Sequence, residues 1–325
     1  MIGIAEKKLE KAILSTLVYF DLWDFPLTAW EIYVYLYLPL DRDRKKISFF
    51  EIQESLQKSS YLKDRVGRKK GFYFLKQRGK IVEIRESRLL IARRKYQKAL
   101  LFARIARFFP FVKMVAVCNT LAFSHSRFSS DLDFFVITSK ARIWSARFFL
   151  IIFLSLLGWR PTKRRARDKI CLSFWAAEDA PSLESLCVGQ DDIYLKYWIA
   201  SLVPVYDTGG VYSRFRRKNR WIKVSLPNTL FCSVHPIHRV KRLPRWRDGA
   251  GKICSFFWFD KMEKMVRFFQ IRFMNDILKK QSQEKKGVIL TQKILKFHIH
   301  DQRENIQKKY RALWKRVSKN EKISV

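Results

Sequence analysis

The chain has 325 residues, of which 48% are hydrophobic and 15% aromatic, so it is long enough for about two or three domains with hydrophobic cores. This composition excludes a disordered chain, because charged disordered chains lack aromatic residues. The net charge of +37 favours polyanionic partners, namely nucleic acid, nucleotide phosphates or an anionic membrane surface, and the alternative is a basic but merely solvated surface.

The five cysteines are far apart and form no CxxC pair: Cys118, Cys171, Cys187, Cys232 and Cys254. This spacing indicates neither a zinc ribbon nor a disulfide framework, and a reducing compartment fits it. The first residues, "MIGIAEKKLEKAIL", carry charges throughout and do not have the pattern of a signal peptide. We therefore expect a cytoplasmic protein.

Residues 1–98 are predicted to form an N-terminal domain that ends in a helical connector. Apolar positions at helical spacing predict a helix over residues 5–21. Thr28 with Glu31, and Ser48 with Glu51, have the spacing of capping boxes, which predicts helix starts near residues 28 and 48. The segment "LKDRVGRKKGFYFLK" follows and has the pattern of a hairpin with a basic tip. Three helices and a hairpin predict a winged helix-turn-helix.

A winged helix suggests nucleic-acid binding, but only some of its parts carry the positive charge that this binding needs. The third helix, "FFEIQESLQKSS", would enter the major groove, yet it carries Glu51 and Glu54 and no Arg. The hairpin tip suits phosphates better, through Lys63, Arg65, Arg68, Lys69 and Lys70. The alternative is a module for packing or protein docking.

The middle of the chain, residues 99–210, is predicted to form a second domain. A basic helical stretch over roughly 77–108 ends at Phe109-Pro110-Phe111. A buried strand, "VKMVAVCNTL", follows, then a loop with a short helix, a strand at 132–138, a helix at 141–158 and a strand at 169–175. This alternation predicts an α/β or α+β core, with α+β as the expected class.

The most apolar run, "FFLIIFLSLLGW" (Phe148–Trp159), has only 12 residues. It is too short to cross ~30 Å of hydrocarbon at ~1.5 Å per residue. We expect a buried core helix and no transmembrane segment, with a membrane-surface helix as the alternative. The basic loop behind it, "RPTKRRARDK", is expected to be solvated or to clamp phosphate.

Residues 211–325 are predicted to be a helical C-terminal region. "VYSRFRRKNRWIKVSLPN" has the pattern of a basic amphipathic helix that ends at Pro227, and further helices are expected near 257–281 and 301–318. Asp301 is the expected N-cap of the last one. The sequence "FHIHD" pairs His298 with His300, a weak indication of a metal site without a third ligand.

Two acids, Asp131 and Asp133, stand at the start of the apolar strand at 132–138. Residues at i and i+2 of a strand share one face, so the two carboxylates repel unless a cation bridges them. Mg²⁺ suits this role because it takes oxygen ligands and keeps substrate phosphates in its shell. The alternative is a strand-start pair neutralised by nearby Arg.

The segment "VAVCNTLAFSHSRFSSDLDFFVIT" resembles the signature of the DNA polymerase β-like nucleotidyltransferase superfamily. That signature is a strand, a Gly-Ser pair that opens a helix, a loop, and Asp-hydrophobic-Asp on the next strand. "FDLWDFPLTAWEI", "GFYFLKQR", "DKICLSFWAAEDA" and "FRRKNRWIKVSLPN" are similar to stretches of bacterial proteins with a nucleotidyltransferase domain behind an N-terminal winged helix. The resemblance implies a central mixed sheet flanked by helices.

The resemblance also implies roles for particular residues. Asp131 and Asp133 would be the catalytic acids that bind Mg²⁺, and Asn119, Thr120 and Ser130 would touch the nucleoside triphosphate. The chain departs from the signature in two ways, because Asn119-Thr120 stands in place of Gly-Ser and no third carboxylate is evident on "KICLSFW". Ser173 has a suitable position there, while Glu178 and Asp179 follow just past the strand.

Two functions therefore follow as hypotheses. The first is a Mg²⁺-dependent nucleotidyltransferase that moves a nucleoside monophosphate to an unidentified acceptor. The second is a catalytically degenerate fold of the same kind that binds nucleic acid or a protein partner through its basic surface. A peripheral membrane protein that uses Phe148–Trp159 is a third reading.

Overall fold

The computed structural model describes residues 2–39, 47–162, 165–230, 240, 256–274, 276–283, 287–298 and 301–319. Within these ranges the chain is mixed α and β, with twelve α-helices, a three-stranded sheet and a six-stranded mixed sheet, in agreement with the expected α+β class. Several predicted features lie outside the described residues: residues 163 and 164 of the basic loop, most of the Pro-containing stretch after residue 230, and His300.

The N-terminal elements follow one another in the predicted order. They are α1 (Ile2–Asp21), β1 (Leu27–Thr28), α2 (Ala29–Val34), α3 (Phe49–Lys58), α4 (Ser60–Lys63), β2 (Val66–Lys69) and β3 (Phe72–Leu75). The three strands pair antiparallel in the order β1-β3-β2. Gly71, at φ +80°, follows Lys70, at φ 52°, and this two-residue turn closes the predicted hairpin. The identification as a winged helix stays a prediction.

Both predicted capping boxes are present. The Thr28 hydroxyl accepts the Glu31 N–H at 3.2 Å, and a Glu31 carboxylate oxygen accepts the Thr28 N–H at 2.8 Å. Ser48 and Glu51 repeat the arrangement at 3.2 and 2.7 Å. Because each box satisfies two N–H groups that the helix leaves unpaired, the helix starts could be located from four side chains.

A 26-residue helix, α5 (Ile81–Ala106), carries the chain from these elements to the central sheet. The predicted domain boundary at residue 98 falls inside this helix, and the division into 1–98, 99–210 and 211–325 stays a prediction. One core cluster includes Leu17 of α1, Phe135 of the central sheet and Val211 of the C-terminal region. All three parts of the chain therefore contribute to the packing around the central sheet.

The central elements alternate as predicted. They are β4 (Val112–Val117), α6 (Asn119–Ala122), β5 (Leu132–Thr138), α7 (Ile143–Leu156), β6 (Ile170–Ala177), α8 (Ile193–Ser201), β7 (Val203–Asp207) and α9 (Val211–Lys218). Two 3₁₀ turns, Leu183–Leu186 and Arg220–Val224, complete this part. The predicted basic helix that was to run to Pro227 ends earlier, at Lys218. The buried side chain of Asn219, which follows, donates to the Phe215 carbonyl at 2.9 Å and accepts the Leu183 N–H at 2.9 Å.

The C-terminal region is not only helical, which corrects the prediction. Its elements are α10 (Phe256–Arg272), α11 (Asp276–Gln283), β8 (Val288–Leu290), β9 (Ile294–Phe297) and α12 (Arg303–Ser318). The two strands extend the large sheet to the order β7-β4-β5-β6-β9-β8, in which β5 and β6 are parallel and the other neighbours antiparallel. Strands of three and four residues are too short for a period to distinguish them from helix.

The apolar helix α7 is buried on one face only, which also corrects a prediction. Trp144, Leu150 and Leu154 lie in the core, whereas Leu156 is 81% and Ile152 41% exposed. No helix in the described part of the chain is long and apolar enough to cross a membrane.

Candidate functional site

The two acids lie at the start of β5, on the face that the sequence predicted. Asp133 shares its side of the strand with Phe135, which belongs to one core cluster, while Leu132 and Phe134 pack in the other cluster. Asp131 immediately precedes the strand and points to the same side as Asp133.

A third side chain joins them, and it is not the one that the sequence suggested. The parallel pairing of β5 with β6 sets Cys171 opposite Asp133. The ligand atoms of Asp131, Asp133 and Cys171 lie within 4.8 Å of one another, and this is the one such cluster among the described residues. Ser173, two residues further along β6, lies 3.3 Å from His298 Nε2 instead. The register of a parallel pair could have identified Cys171, but the pattern of β6 alone could not.

Burial and mutual repulsion make this cluster unfavourable for negative charge. Burial, followed by the charge of Asp131, raises the pKa of Asp133 to about 6. Burial also raises the pKa of Asp131, and it raises the pKa of the Cys171 thiol well above its usual value, with the two acids adding to the effect. A bound cation would relieve this repulsion. The two carboxylates suit Mg²⁺, whereas the thiol is a ligand that softer cations prefer.

The residues expected to touch a nucleotide divide into two groups. Asn119 opens α6 at φ 55° and interacts with Asp133, and the Tyr194 hydroxyl lies 3.3 Å from its Oδ1. Thr120 follows Asn119, and both residues line a cavity of about 260 Å³ that Asp133 also lines. The Ser130 hydroxyl instead donates to the Arg127 carbonyl at 2.9 Å. Asn119 and Thr120 therefore flank the acids, whereas Ser130 stabilises the preceding loop.

The carboxylates that follow β6 are engaged away from the acids. Glu178 pairs with Arg214 at 3.1 Å, and Asp179 pairs with Lys293 at 3.2 Å. In the basic loop, Asp168 neutralises Lys98 of α5 at 2.8 Å. The described part of this loop is thus held by its own contacts with α5.

One cavity in front of the acids, which we call the cationic cavity, has a volume of about 410 Å³. It extends from Asp133 and Cys171 to Lys296, His298 and Arg303.

The cations of the cationic cavity are balanced by acids of the chain. Asp301 lies 2.7 Å from Lys296 and 2.8 Å from Arg303, and the buried Asp192 lies 2.9 Å from Arg303. Burial, together with the charge of Lys296, lowers the pKa of His298 to about 4, so its imidazole is neutral at pH 7. An incoming phosphate would therefore meet cations that already form ion pairs with Asp301 and Asp192.

A second cavity, which we call the aromatic cavity, has a volume of about 260 Å³. Its walls include Trp23, Phe25, Phe123 and His125. The two cavities have four lining residues in common: Asn119, Asp133, Tyr194 and Trp198. Asp133 therefore stands where two differently lined spaces meet.

The hairpin tip predicted to bind phosphates is partly neutralised. Lys69 pairs with Glu83, and Lys70 pairs with Glu86 at 3.0 Å, both acids lying on α5. Arg65 lies over the Tyr61 ring. These contacts weaken the case for nucleic acid at this edge.

Comparisons of this chain with models of known protein families, with curated proteins and with solved structures found no match.

Proposed function

We propose that the protein is a nucleotidyltransferase that depends on a divalent cation. It moves a nucleoside monophosphate from a nucleoside triphosphate to a hydroxyl or phosphate acceptor and releases pyrophosphate. The acceptor oxygen forms a bond to the α-phosphorus while the bond from that phosphorus to the pyrophosphate oxygen breaks. The observation that carries the proposal is the close pair Asp131 and Asp133, of which Asp133 lines both cavities.

In this proposal Asp131 and Asp133 hold Mg²⁺, which supplies charge stabilisation at the phosphate oxygens when bound. The triphosphate occupies the cationic cavity, where Lys296 and Arg303, although already paired with Asp301 and Asp192, offer N–H donors to its oxygens. Asn119 lines this cavity and lies beside the phosphates, whereas Thr120 lines only the aromatic cavity.

Cys171 limits the rate of such an enzyme. Its thiol stays protonated at neutral pH, because burial and the two acids raise its pKa. It therefore joins the two acids without supplying the base that a third carboxylate would supply. General base catalysis contributes roughly 10²–10⁴ in rate, so we expect slow turnover.

The proposal is tested by incubating the protein with triphosphates labelled at the α-phosphate and with a panel of acceptors: RNA, the protein itself and small alcohols. We expect Mg²⁺-dependent transfer of label that the variant Asp131→Asn loses. Asp179→Asn is the matched control, since Asp179 is paired with Lys293 away from the acids. Equal transfer by wild type and Asp131→Asn would contradict the proposal.

The second candidate is a degenerate fold of the same kind that binds nucleic acid or a protein. The observation that favours it is the combination of a thiol, Cys171, beside the two acids with cations that are already paired. The N-terminal elements would then be a winged helix that docks a partner. Binding of a labelled duplex or single strand, with an affinity that falls steeply with salt, would support it.

A further inference from the structure

The helix α10 has two faces of different character. On its inner face, Val266 is buried in the core cluster that contains Trp144 of α7, and Gln270 donates to the Trp144 carbonyl at 2.9 Å. Residues three or four positions apart share one face of a helix. Four exposed residues with this spacing form a stripe on the outer side: Lys261, Met265, Phe268 and Arg272.

The outer side presents apolar side chains to solvent. Met265 is 54% and Phe268 64% exposed, and Phe273, just past the helix end, is 80% exposed. The rings form one cluster, because Phe269 packs edge to face on Phe268 at 5.8 Å between centroids and stacks on Phe273 at 6.3 Å. Single exposed apolar residues are common on proteins, whereas a contiguous cluster marks an interaction surface.

The cations beside these rings are not neutralised by the chain. Lys261, Lys264 and Arg272 are exposed, and none of them forms an ion pair within the part of the chain that the structure describes. The next acid in the sequence, Asp276 at the start of α11, pairs with Lys279 at 3.4 Å. The outer side of α10 therefore carries positive charge next to apolar rings.

The two acids of α10 are engaged with α7 and the residue before it. Asp260 pairs with Arg142 at 2.6 Å. Glu263 accepts the N–H groups of Trp144 at 2.8 Å and Ser145 at 2.9 Å, at the N-terminus of α7, where a carboxylate is favourable. The helix thus uses its acids to pack on its neighbour and leaves apolar and cationic side chains on its outer side.

This combination favours a lipid bilayer over a nucleic acid. Helices that carry Lys and Arg beside apolar and aromatic residues lie in the headgroup region of anionic membranes. Single-stranded nucleic acid is instead held in basic grooves, whereas side chains that are more than half exposed protrude from a convex surface. The sequence before the helix, "HRVKRLPRWR", adds further cations.

We propose that the outer side of α10 docks the protein on an anionic lipid bilayer, with its rings at the acyl boundary and its cations at the lipid phosphates. We call this side the docking surface, and it consists of Lys261, Lys264, Met265, Phe268, Arg272 and Phe273. The inference is independent of the nucleotidyltransferase proposed above. It also differs from the membrane hypothesis based on the sequence, which used Phe148–Trp159.

Cosedimentation of the full chain with lipid vesicles tests the proposal. One set of vesicles contains equal parts of phosphatidylcholine and phosphatidylglycerol, and the other contains phosphatidylcholine alone. We expect binding to the anionic set that weakens as salt is raised, and much weaker binding to the neutral set. Absence of binding to the anionic vesicles would overturn the inference.

A charge variant separates the docking surface from the general attraction of a basic protein. Lys261→Gln/Lys264→Gln should bind anionic vesicles about 25-fold more weakly, at about fivefold for each charge near the lipid. Lys308→Gln/Lys309→Gln is the matched control, because it removes two exposed lysines of α12 and the same net charge. This control should bind almost as well as wild type. Equal losses in both variants would leave only diffuse attraction and overturn the inference.

An apolar variant tests the contribution of the rings. Phe268→Ser should weaken binding to anionic vesicles on the order of tenfold, because an apolar side chain no longer leaves water. Phe50→Ser is the matched control, since Phe50 of α3 is 71% exposed, and it should bind as wild type does. Both side chains lie on the surface, so both variants should fold, which circular dichroism checks. Unchanged binding by Phe268→Ser would overturn the inference.

Two other occupants of the docking surface give distinct results. Single-stranded RNA that binds the wild type and is lost with Phe268→Ser, in a protein that does not bind vesicles, would assign the surface to nucleic acid. A dimer in sedimentation velocity that Phe268→Ser abolishes, again without vesicle binding, would assign it to a second copy of the chain. Either outcome would overturn the inference.

Discussion

The two cavities that meet at Asp133 differ in the contacts that hold their walls together. In the cationic cavity the charged side chains form ion pairs. Lys296 pairs with Asp301, and Arg303 pairs with both Asp301 and Asp192. In the aromatic cavity the walls are rings that pack against one another, as Phe20 and Phe25 do on Phe123. The difference indicates that the first cavity owes its shape to ion pairs and the second to aromatic packing, so they should respond differently to substitution.

The largest effect on stability is expected from Arg303→Met, which removes one cation from the ion pairs of the cationic cavity. Asp192 is 1% exposed and would lose the cation that lies 2.9 Å away. Removing one partner of a buried pair costs about 3–5 kcal/mol of the free energy of unfolding. Urea denaturation measures the loss. Lys293→Met is the control, since its partner Asp179 belongs to an exposed pair worth about 1 kcal/mol or less. Equal losses in both variants would contradict the account.

Cys171→Asp tests whether a third carboxylate beside the two acids raises the rate of transfer. It places a third carboxylate opposite Asp133, beside the two acids that are proposed to hold the metal. We expect the rate of label transfer to rise by roughly 10²–10⁴. Cys171→Ser, which adds no base, should stay close to the wild-type rate. A slower Cys171→Asp enzyme, in a variant that still binds triphosphate, would show that the thiol has a role of its own.

Asp133→Asn should stabilise the protein in the absence of metal. The raised pKa of Asp133, from 3.8 to about 6, means that its charge opposes folding. The favourable contribution of the protonated carboxyl is complete below about pH 4 and is lost as the pH rises through 6. At pH 8 in EDTA we expect the variant to gain about 2–3 kcal/mol in free energy of unfolding, with the gain vanishing toward pH 4. A gain that is independent of pH would argue against a buried, ionised Asp133.

The smallest effect concerns Asn119, which borders both cavities. At φ 55° a glycine is favourable, and Asn119→Gly would expose the backbone as the Gly-Ser pair of the nucleotidyltransferase signature does. We expect triphosphate affinity to rise about tenfold, while the free energy of unfolding changes by less than about 1 kcal/mol. Asn119→Ala, which also shortens the side chain but keeps a Cβ at positive φ, should lose stability. Weaker triphosphate binding by the glycine variant would show that the Asn119 amide itself is a ligand contact.

What the sequence could predict depends on how local the physical cause is. The helix starts at Thr28 and Ser48 follow from residues three positions apart, and the alternation of β5 follows from one strand, so both were predicted correctly. The pair Asp131 and Asp133 could be found for the same reason.

The rest of the site depends on contacts between distant parts of the chain. Cys171 reaches Asp133 only through the pairing of two strands, and Arg303 reaches Asp192 across more than a hundred residues. The contacts of the His125 ring come from Arg88 of α5 and from the Trp23 carbonyl. No periodicity in the sequence carries that information, because periodicity reports which face is buried and not which element covers it.

The central claim is that Asp131 and Asp133 hold a metal that binds a nucleotide. Calorimetry with each nucleoside triphosphate, in Mg²⁺ and in EDTA, on wild type and on the double variant Asp131→Ala/Asp133→Ala, tests it most directly. We expect Mg²⁺-dependent binding to wild type that EDTA and the double variant both abolish. Absence of binding to the wild type at millimolar triphosphate, or equal binding by the double variant, would contradict the claim.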